Sequence, residues 1–385
     1  MKRVVVCFTL LSLLLAACQA ASTPSVASTG EPSFSPTPAR PSPAQGYCGD
    51  GRCDGPENPH NCPADCLPSN PSPAPSPAAT AAAPSGGQGV LYLGIMVHLE
   101  GWDDDQSQDR FEHHVQRMRE YATLFERYGA RLTWESKEVT EGILRWGDNV
   151  LLEMEQRGHG IGVHADIGGQ RNYDCRRFAD DLRAEREQLE SLGVTVRHVS
   201  GICSSCDWVT GAADAGYLFT TGAVAYCVSS LPVEQRPEPY ANCPNPAACH
   251  QPFPPALADR LHPWRMNSGA NWLTPDPNGR LVILPAGGGL ACMQEEATSA
   301  ESVTQCDFTT QDIDAFIRQL EEALAYSRED QVNIYYVSWS LGSPLDMALL
   351  ETWLQRIQPY VESGRVQWKT LPEMYDAYVR WEQSH

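Results

Sequence analysis

Two side chains near position 100 are spaced for joint chemistry. Val90 to Val97 (VLYLGIMV) reads as a buried strand and runs straight into His98-Leu99-Glu100-Gly101. Successive side chains of a strand point to opposite faces, so His98 and Glu100, two apart, project from the same one. An imidazole beside a carboxylate is a ligand pair that zinc accepts. The same residues could equally serve structure, His98 hydrogen-bonding inside a core and Glu100 pairing with a basic residue. Acids near the ends of predicted strands are the candidates for proton transfer: Asp103, Asp104, Asp166, Glu135 and Asp207, with Asp166 and Asp103 placed first. Other histidines have plainer readings. His159 suits a turn, His113 and His114 face solvent on a predicted helix, and His250 and His262 fall in a long loop where they could line a pocket.

A second chemical cluster lies in a short island, residues 47–67, which contains YCGDGRCDGPENPHNCPADC. Its cysteines, Cys48, Cys53, Cys62 and Cys66, allow three pairings. About twenty residues cannot fold on hydrophobic burial alone, so two disulfides are the expected staple. Asp50, Asp54, Glu57 and Asp65, with Asn58 and Asn61, offer oxygen ligands between glycines, as calcium requires. Their spacing is not that of an EF-hand loop, which favours the simpler reading of acids in turns facing water. Zinc held by the thiols and His60 fits poorly outside the cytosol. The island resembles a short cysteine-rich repeat (CGDG-x-C…E…CP-x-DC) of multidomain extracellular proteins.

The elements that must position these groups alternate in type. Phe111, Val115, Met118, Ala122 and Phe125 recur at helical spacing, and 131–134 reads as a strand. A helix over 149–156, a strand over 160–164, a helix over 176–192 and a strand over 194–199 follow. Further strands are expected over 218–226, 281–284 and 332–337, and helices over 313–326, 345–361 and from Pro372. Strand-then-helix order repeated this way predicts a parallel sheet, and closure into a barrel suits the length. Residues 227–280, rich in Pro, Cys and aromatics, break the rhythm and suggest a disulfide-pinned loop. Trp102, Trp208, Trp264, Trp272 and Trp339 fall near loops or strand ends, where they could stack on sugar rings or fill the core.

The first 17 residues read as an export signal: Lys2 and Arg3, an apolar run from Val4 to Leu15, then small residues. Leu15-Ala16-Ala17-Cys18 resembles a bacterial lipobox, which implies a lipid on Cys18 and an extracytoplasmic protein anchored to the cell membrane by that lipid. Residues 18–46 and 68–88 are rich in Pro, Ser, Thr and Ala and read as a disordered tether and a linker on either side of the island, leaving 89–385 as the globular domain. Of fourteen cysteines, twelve remain once Cys7 and Cys18 are set aside, an even number that suits up to six disulfides in an oxidising compartment. Cys203 and Cys206, spaced like a redox pair, are therefore expected in structural disulfide bonding. A formal charge of −20 over 385 residues repels phosphates and excludes a nucleic acid partner.

The order of several segments carries a family resemblance. Gly158-His159-Gly160-Ile161-Gly162-Val163-His164 resembles the GHEIGxH segment of polysaccharide deacetylases, carbohydrate esterases built on a distorted (β/α)7 barrel. Tyr128-Gly129-Ala130-Arg131-Leu132-Thr133-Trp134 is similar to that family's second strand (xxGxxATFF), Ala215-Gly216-Tyr217 to its Gly-Tyr before a strand, and Leu371-Pro372-Glu373-Met374 to its C-terminal tlpEm segment. The likeness spans most of residues 90 to 380. It implies an α/β fold, the distorted (β/α)7 barrel, over 89–385.

The family ends its first strand in an Asp-Asp pair, base and metal ligand, and supplies two more ligands from a His-x₃-His pair after the third. Aligned on Gly101, Glu100 takes the metal-binding position and Leu99 the base position; His164 matches the first ligand histidine and Gly168 the second. The family's last-strand histidine falls near Trp339, and its Arg-x-Pro segment, near 201–205, is not preserved. If the strands ending at Glu100 and His164 are neighbours, His98, Glu100 and His164 converge at the barrel mouth as a zinc-type set with one position left for water. The resemblance then implies a metal-dependent hydrolase that deacetylates a polysaccharide or cell-wall glycan, with Asp103, Asp104 and Asp166 as the acid–base candidates. Two other readings stand beside it: a non-catalytic glycan-binding lipoprotein on the same fold, and a glycosidase using Glu100 with the acids at 103–105.

Overall fold

The computed structural model describes residues 89–385 apart from 101–103, 169–172, 243–248, 289–307 and 341–345. Cys18, the calcium candidates Asp50, Asp54, Glu57 and Asp65, and the acid Asp103 lie outside the described residues.

The apolar run after Gly89 forms β1 (Leu91–Leu99), and the helical periodicity that follows forms α1 (Gln108–Arg127), capped by the Ser107 side chain. Next come β2 (Thr133–Ser136), α2 (Glu138–Trp146), α3 (Val150–Gln156), β3 (Gly160–His164), α4 (Phe178–Glu190), β4 (His198–Ser200), α5 (Trp208–Asp214) and β5 (Phe219–Thr220). A long irregular stretch leads to β6 (Trp264–Met266), β7 (Leu281–Ile283) and β8 (Gly287–Gly288). The chain ends with α6 (Thr310–Tyr326), β9 (Asn333–Ser340), α7 (Met347–Glu362), β10 (Val366–Trp368) and α8 (Leu371–Glu382).

The strands form one curled sheet in the order β6-β7-β5-β4-β3-β2-β1-β9-β8. All pairings are parallel except β6 with β7. β7 pairs with β5, and β8, a few residues on, pairs with β9, so chain continuity closes the curl. The Tyr336 hydroxyl fills that seam, donating to Leu284 O at 2.9 Å and accepting from Gly222 N at 2.8 Å. This is the distorted (β/α)7 barrel expected from the sequence, its ring positions being β1, β2, β3, β4, β5, β7–β8 and β9.

The helices bury their apolar stripes against the outside of the sheet. Trp339 on β9, for instance, packs between Phe125 of α1 and Trp353 of α7. The end of the barrel where the strands begin is plugged by α8. Thr370 caps that helix reciprocally with Glu373, and Leu371 N donates to Thr133 Oγ1 at 2.9 Å. A Cβ on Gly160 would stand 2.8 Å from Pro372, and one on Gly94 2.7 Å from Met374. The Leu371–Met374 segment that carried part of the family likeness is thus the plug, and the glycines facing it make room.

Several expectations need correction. The strand expected over 218–226 ends at Thr220, because Gly222 turns with φ +67 and the next residues pair with 251–253 instead. The strand expected over 194–199 moves to His198–Ser200, since Thr195 N is tied to Glu155 of α3. α2 was not anticipated: it is nine residues long and interrupted by Gly142, too short for a clear periodic signal. His114, expected in solvent, is buried and hydrogen-bonded to Asp104. Cys203 and Cys206 do form disulfides, but with Cys227 and Cys175, which pin the start of the long loop and the segment after β3.

Candidate active site

Parallel strands bring their C-terminal ends to one mouth, and register decides which side chains meet there. His98 pairs with Glu135, Glu135 with Gly162, and His164 with Ser200. These four strands therefore bring polar side chains to one inward face, set by the period of two along each strand, with Gly162 leaving a gap between Glu135 and β4. His98 and His164, two strands apart, stack with ring centroids 3.9 Å apart.

Glu135 is the hub. It is completely buried, and a buried carboxylate is tolerated only when its oxygens are satisfied. Oε1 accepts from Thr221 Oγ1 at 3.0 Å and lies 3.1 Å from His198 Nε2. Oε2 accepts from the Ser200 hydroxyl and lies 3.1 Å from His98 Nε2. Burial alone would raise its pKa; His198 and His98 outweigh that and hold it far below the ordinary carboxylate range. His198 reaches Glu135 across β3, over Gly162, where any Cβ would collide with the imidazole.

His164 is oriented through the same hub. Ser200 Oγ spends its hydrogen on Glu135 and so accepts from His164 Nδ1 at 2.7 Å. The other nitrogen, Nε2, then faces Glu100 Oε2 and Asp166 Oδ1, each 3.3 Å away. Burial and His98 press the His164 pKa down, but Glu100 and Asp166 carry it up to about 9. Glu100 is in turn held at about 2 against its burial, chiefly by His164 and then His98. Asp166 is kept well below the usual carboxylate range by His164 and Lys137. It adopts a left-handed conformation (φ 49), which Asp tolerates better than most residues, and its turn lies against Gly201.

Among the described residues, those singled out in the sequence have definite places. His98, Glu100, His164 and Asp166 meet at the mouth. Asp104 does not: it is buried and turned to His114 of α1. Asp207 caps α5 and accepts from Gly269 N. His159 lies at the far end of β3, taking the Leu132 amide on Nδ1 and contacting Glu126 through Nε2. The departures from the family pattern have visible causes. Leu99 is in the core. A side chain at Gly168 would stand 2.6 Å from Phe178 and 2.7 Å from Ser204. Trp339 is buried on the outer face of its strand.

Other members of the site were overlooked or left without a role in the sequence. Glu135 reads in the sequence as a proton-transfer candidate near a strand end, not as a buried hub; the signal for the hub is alternation with Thr133 on the inward face of β2. His198 and Ser200 alternate inward on β4 in the same way. Lys137 follows β2 and sets its ammonium 3.3 Å from Glu100 Oε2 and 2.5 Å from Asp166 Oδ2. His250, from the long loop, contacts the Tyr226 ring and feels the charges of the site: burial, then His98, push its pKa down to about 4, with Asp166, His164 and Glu100 next in influence.

The arrangement fits a divalent ion. Donor atoms of His98, Glu100 and His164 all lie within 4.8 Å of one another. Ligands about 2.1 Å from a tetrahedral centre stand roughly 3.4 Å apart, close to the 3.3 Å between His164 Nε2 and Glu100 Oε2, while His98 Nδ1 lies 3.9 Å from the other Glu100 oxygen, Oε1. The remaining nitrogen of each ring is turned to Glu135 or Ser200, the outer partnership that orients metal-binding histidines.

Known structures share the barrel. Puue allantoinase aligns over 78% of this chain and 92% of its own with a TM-score of 0.50 and 11% identity. A probable polysaccharide deacetylase of Pseudomonas aeruginosa PAO1 aligns over 76% and 92% with a TM-score of 0.49 and 13% identity. No family model matches the sequence, and no curated protein matches it. At such identities the likeness is one of fold: the chain shares the barrel of the allantoinase structure.

Proposed function

We propose that this protein is a metal-dependent hydrolase that removes acetyl groups from a polysaccharide or cell-wall glycan, held outside the cytoplasm by lipid on Cys18. The observation that carries the reading is the convergence of His98, Glu100 and His164 at the barrel mouth, with both imidazoles turned by the Glu135–Ser200 hub. A divalent ion in that set, zinc by its ligand types, would supply Lewis acidity toward an acyl carbonyl and acidify water. The protein's own groups do the rest. Asp166 stands at the rim beside His164 and Lys137 and is the candidate to accept a proton from attacking water. Lys137 offers a cation beside it. His98 and His164 are locked by buried partners and need no rearrangement.

A glycosidase built on Glu100 and the acids that follow it is disfavoured by Asp104, which is committed to His114. A non-catalytic glycan-binding role draws on Leu99, Gly168 and Trp339 standing where the family places a base and two histidines. Metal analysis of the purified full chain, joined to an acetate-release assay on acetylated polysaccharides, separates the readings. Near-stoichiometric zinc, lost in His164→Ala together with acetate release, is the expected result. A metal-free protein that binds glycan and releases no acetate would overturn the proposal in favour of the binding role.

A further inference from the structure

We infer that Lys137, held at the rim by Asp166, is a tethered counter-ion that competes with a divalent metal for Glu100, and so sets the affinity of the site for that metal. The inference rests on the reading that Glu100 helps hold an ion.

Topology puts Lys137 where this competition is unavoidable. It follows β2, and β2 lies between β1 and β3, whose ends lead to Glu100 and Asp166. Its ammonium is 3.3 Å from Glu100 Oε2, the same oxygen that His164 Nε2 approaches at 3.3 Å. A metal held by Glu100 and His164 needs that oxygen. The second contact, 2.5 Å to Asp166 Oδ2, neutralises the other rim carboxylate.

The local sequence gives independent support. Lys137 is the N-cap of α2 and makes no side-chain capping bond. Helix N-termini favour Ser, Thr, Asp or Asn and disfavour cations, because the backbone dipole is positive there. A lysine at this position works against helix stability, the pattern seen where a residue is kept for its site. The Lys137 side chain is 29% exposed and that of Asp166 45%, so the ammonium has a path toward water when Glu100 is needed elsewhere. Four methylenes let the ammonium swing into water.

The test is zinc affinity, measured on the full chain by competition with a chromophoric chelator. Lys137→Met and Lys137→Gln remove the charge; Lys137→Arg keeps it. Loss of a unit charge within a few ångströms of a dication should tighten binding about tenfold or more, while Arg should stay within about threefold of the natural protein. Circular dichroism confirms folding of each variant. If the natural protein binds zinc and neither neutral variant binds tighter, the counter-ion role is overturned while the metal reading stands. If the neutral variants bind and the natural protein does not, the counter-ion role stands and the proposed metal-dependent activity falls. Zinc binding by none of them overturns both.

Discussion

Gly162→Ala should be among the most damaging one-carbon changes in the barrel. The added methyl would lie 2.7 Å from His198 Cδ2 and closer still to Nε2 and Cε1. His198 cannot retreat. Its ring stacks on Phe219 with centroids 4.6 Å apart, Phe219 stacks on Tyr375 of the plug helix at 4.9 Å, and His198 itself is fully buried. Overpacking of a filled interior costs about 1–3 kcal/mol. If the ring yields by leaving Glu135, a contact to a buried charge goes too, a further ~1.5–3 kcal/mol. The expected loss is therefore about 3–5 kcal/mol, read from denaturant unfolding at neutral pH. Because Glu135 also positions His98 and His164, zinc affinity should fall in the same variant. The double substitution Gly162→Ala/His198→Ala removes the clash, so its loss should be well short of the sum of the singles. A single-variant loss below about 1 kcal/mol, or strict additivity in the double, would refute the claim that this glycine exists to let the imidazole pass.

Two further changes test the hub and the far end of β3. Glu135→Gln turns an amide toward a site that supplies donors, and should weaken zinc binding about 10–100-fold in the same chelator competition; unchanged affinity would detach the hub from the metal set. His159 should make the barrel acid-sensitive. Its folded pKa, about 4, lies below the 6.5 of the free side chain, so the unfolded chain binds the extra proton first. Its contribution is complete above pH ~6.5 and declines as pH falls toward 4, by roughly 2–3 kcal/mol. His159→Asn keeps an acceptor for the Leu132 amide and should flatten the stability curve in that window, measured as unfolding midpoint against pH.

How much of this could be read from the sequence depends on range. β1, α1 and β3 announce themselves by local period, the strand–helix rhythm indicates a parallel sheet, and the family likeness indicates its closure into a barrel. His98 and Glu100 are two apart on one strand, so their common face is local information. Glu135 is different: its burial depends on Thr221, Ser200 and His198, up to 86 residues away, and only register brings them together. Lys137 looks like an ordinary surface lysine until its two neighbouring strands are known. Gly168 and Gly162 show the same limit. The first is packed against Phe178 and Ser204 and the second lies under His198, which no spacing rule reveals. β5 was overdrawn because Gly222 turns the chain for reasons that lie in β9.

β1 begins at Leu91 and carries His98 near its other end. At about 3.3 Å per residue, that strand separates the point where the preceding chain joins the barrel from the site by roughly 25 Å. The barrel is thus vectorial. Whatever holds residue 89 holds the closed pole, and the reactive pole faces the opposite way.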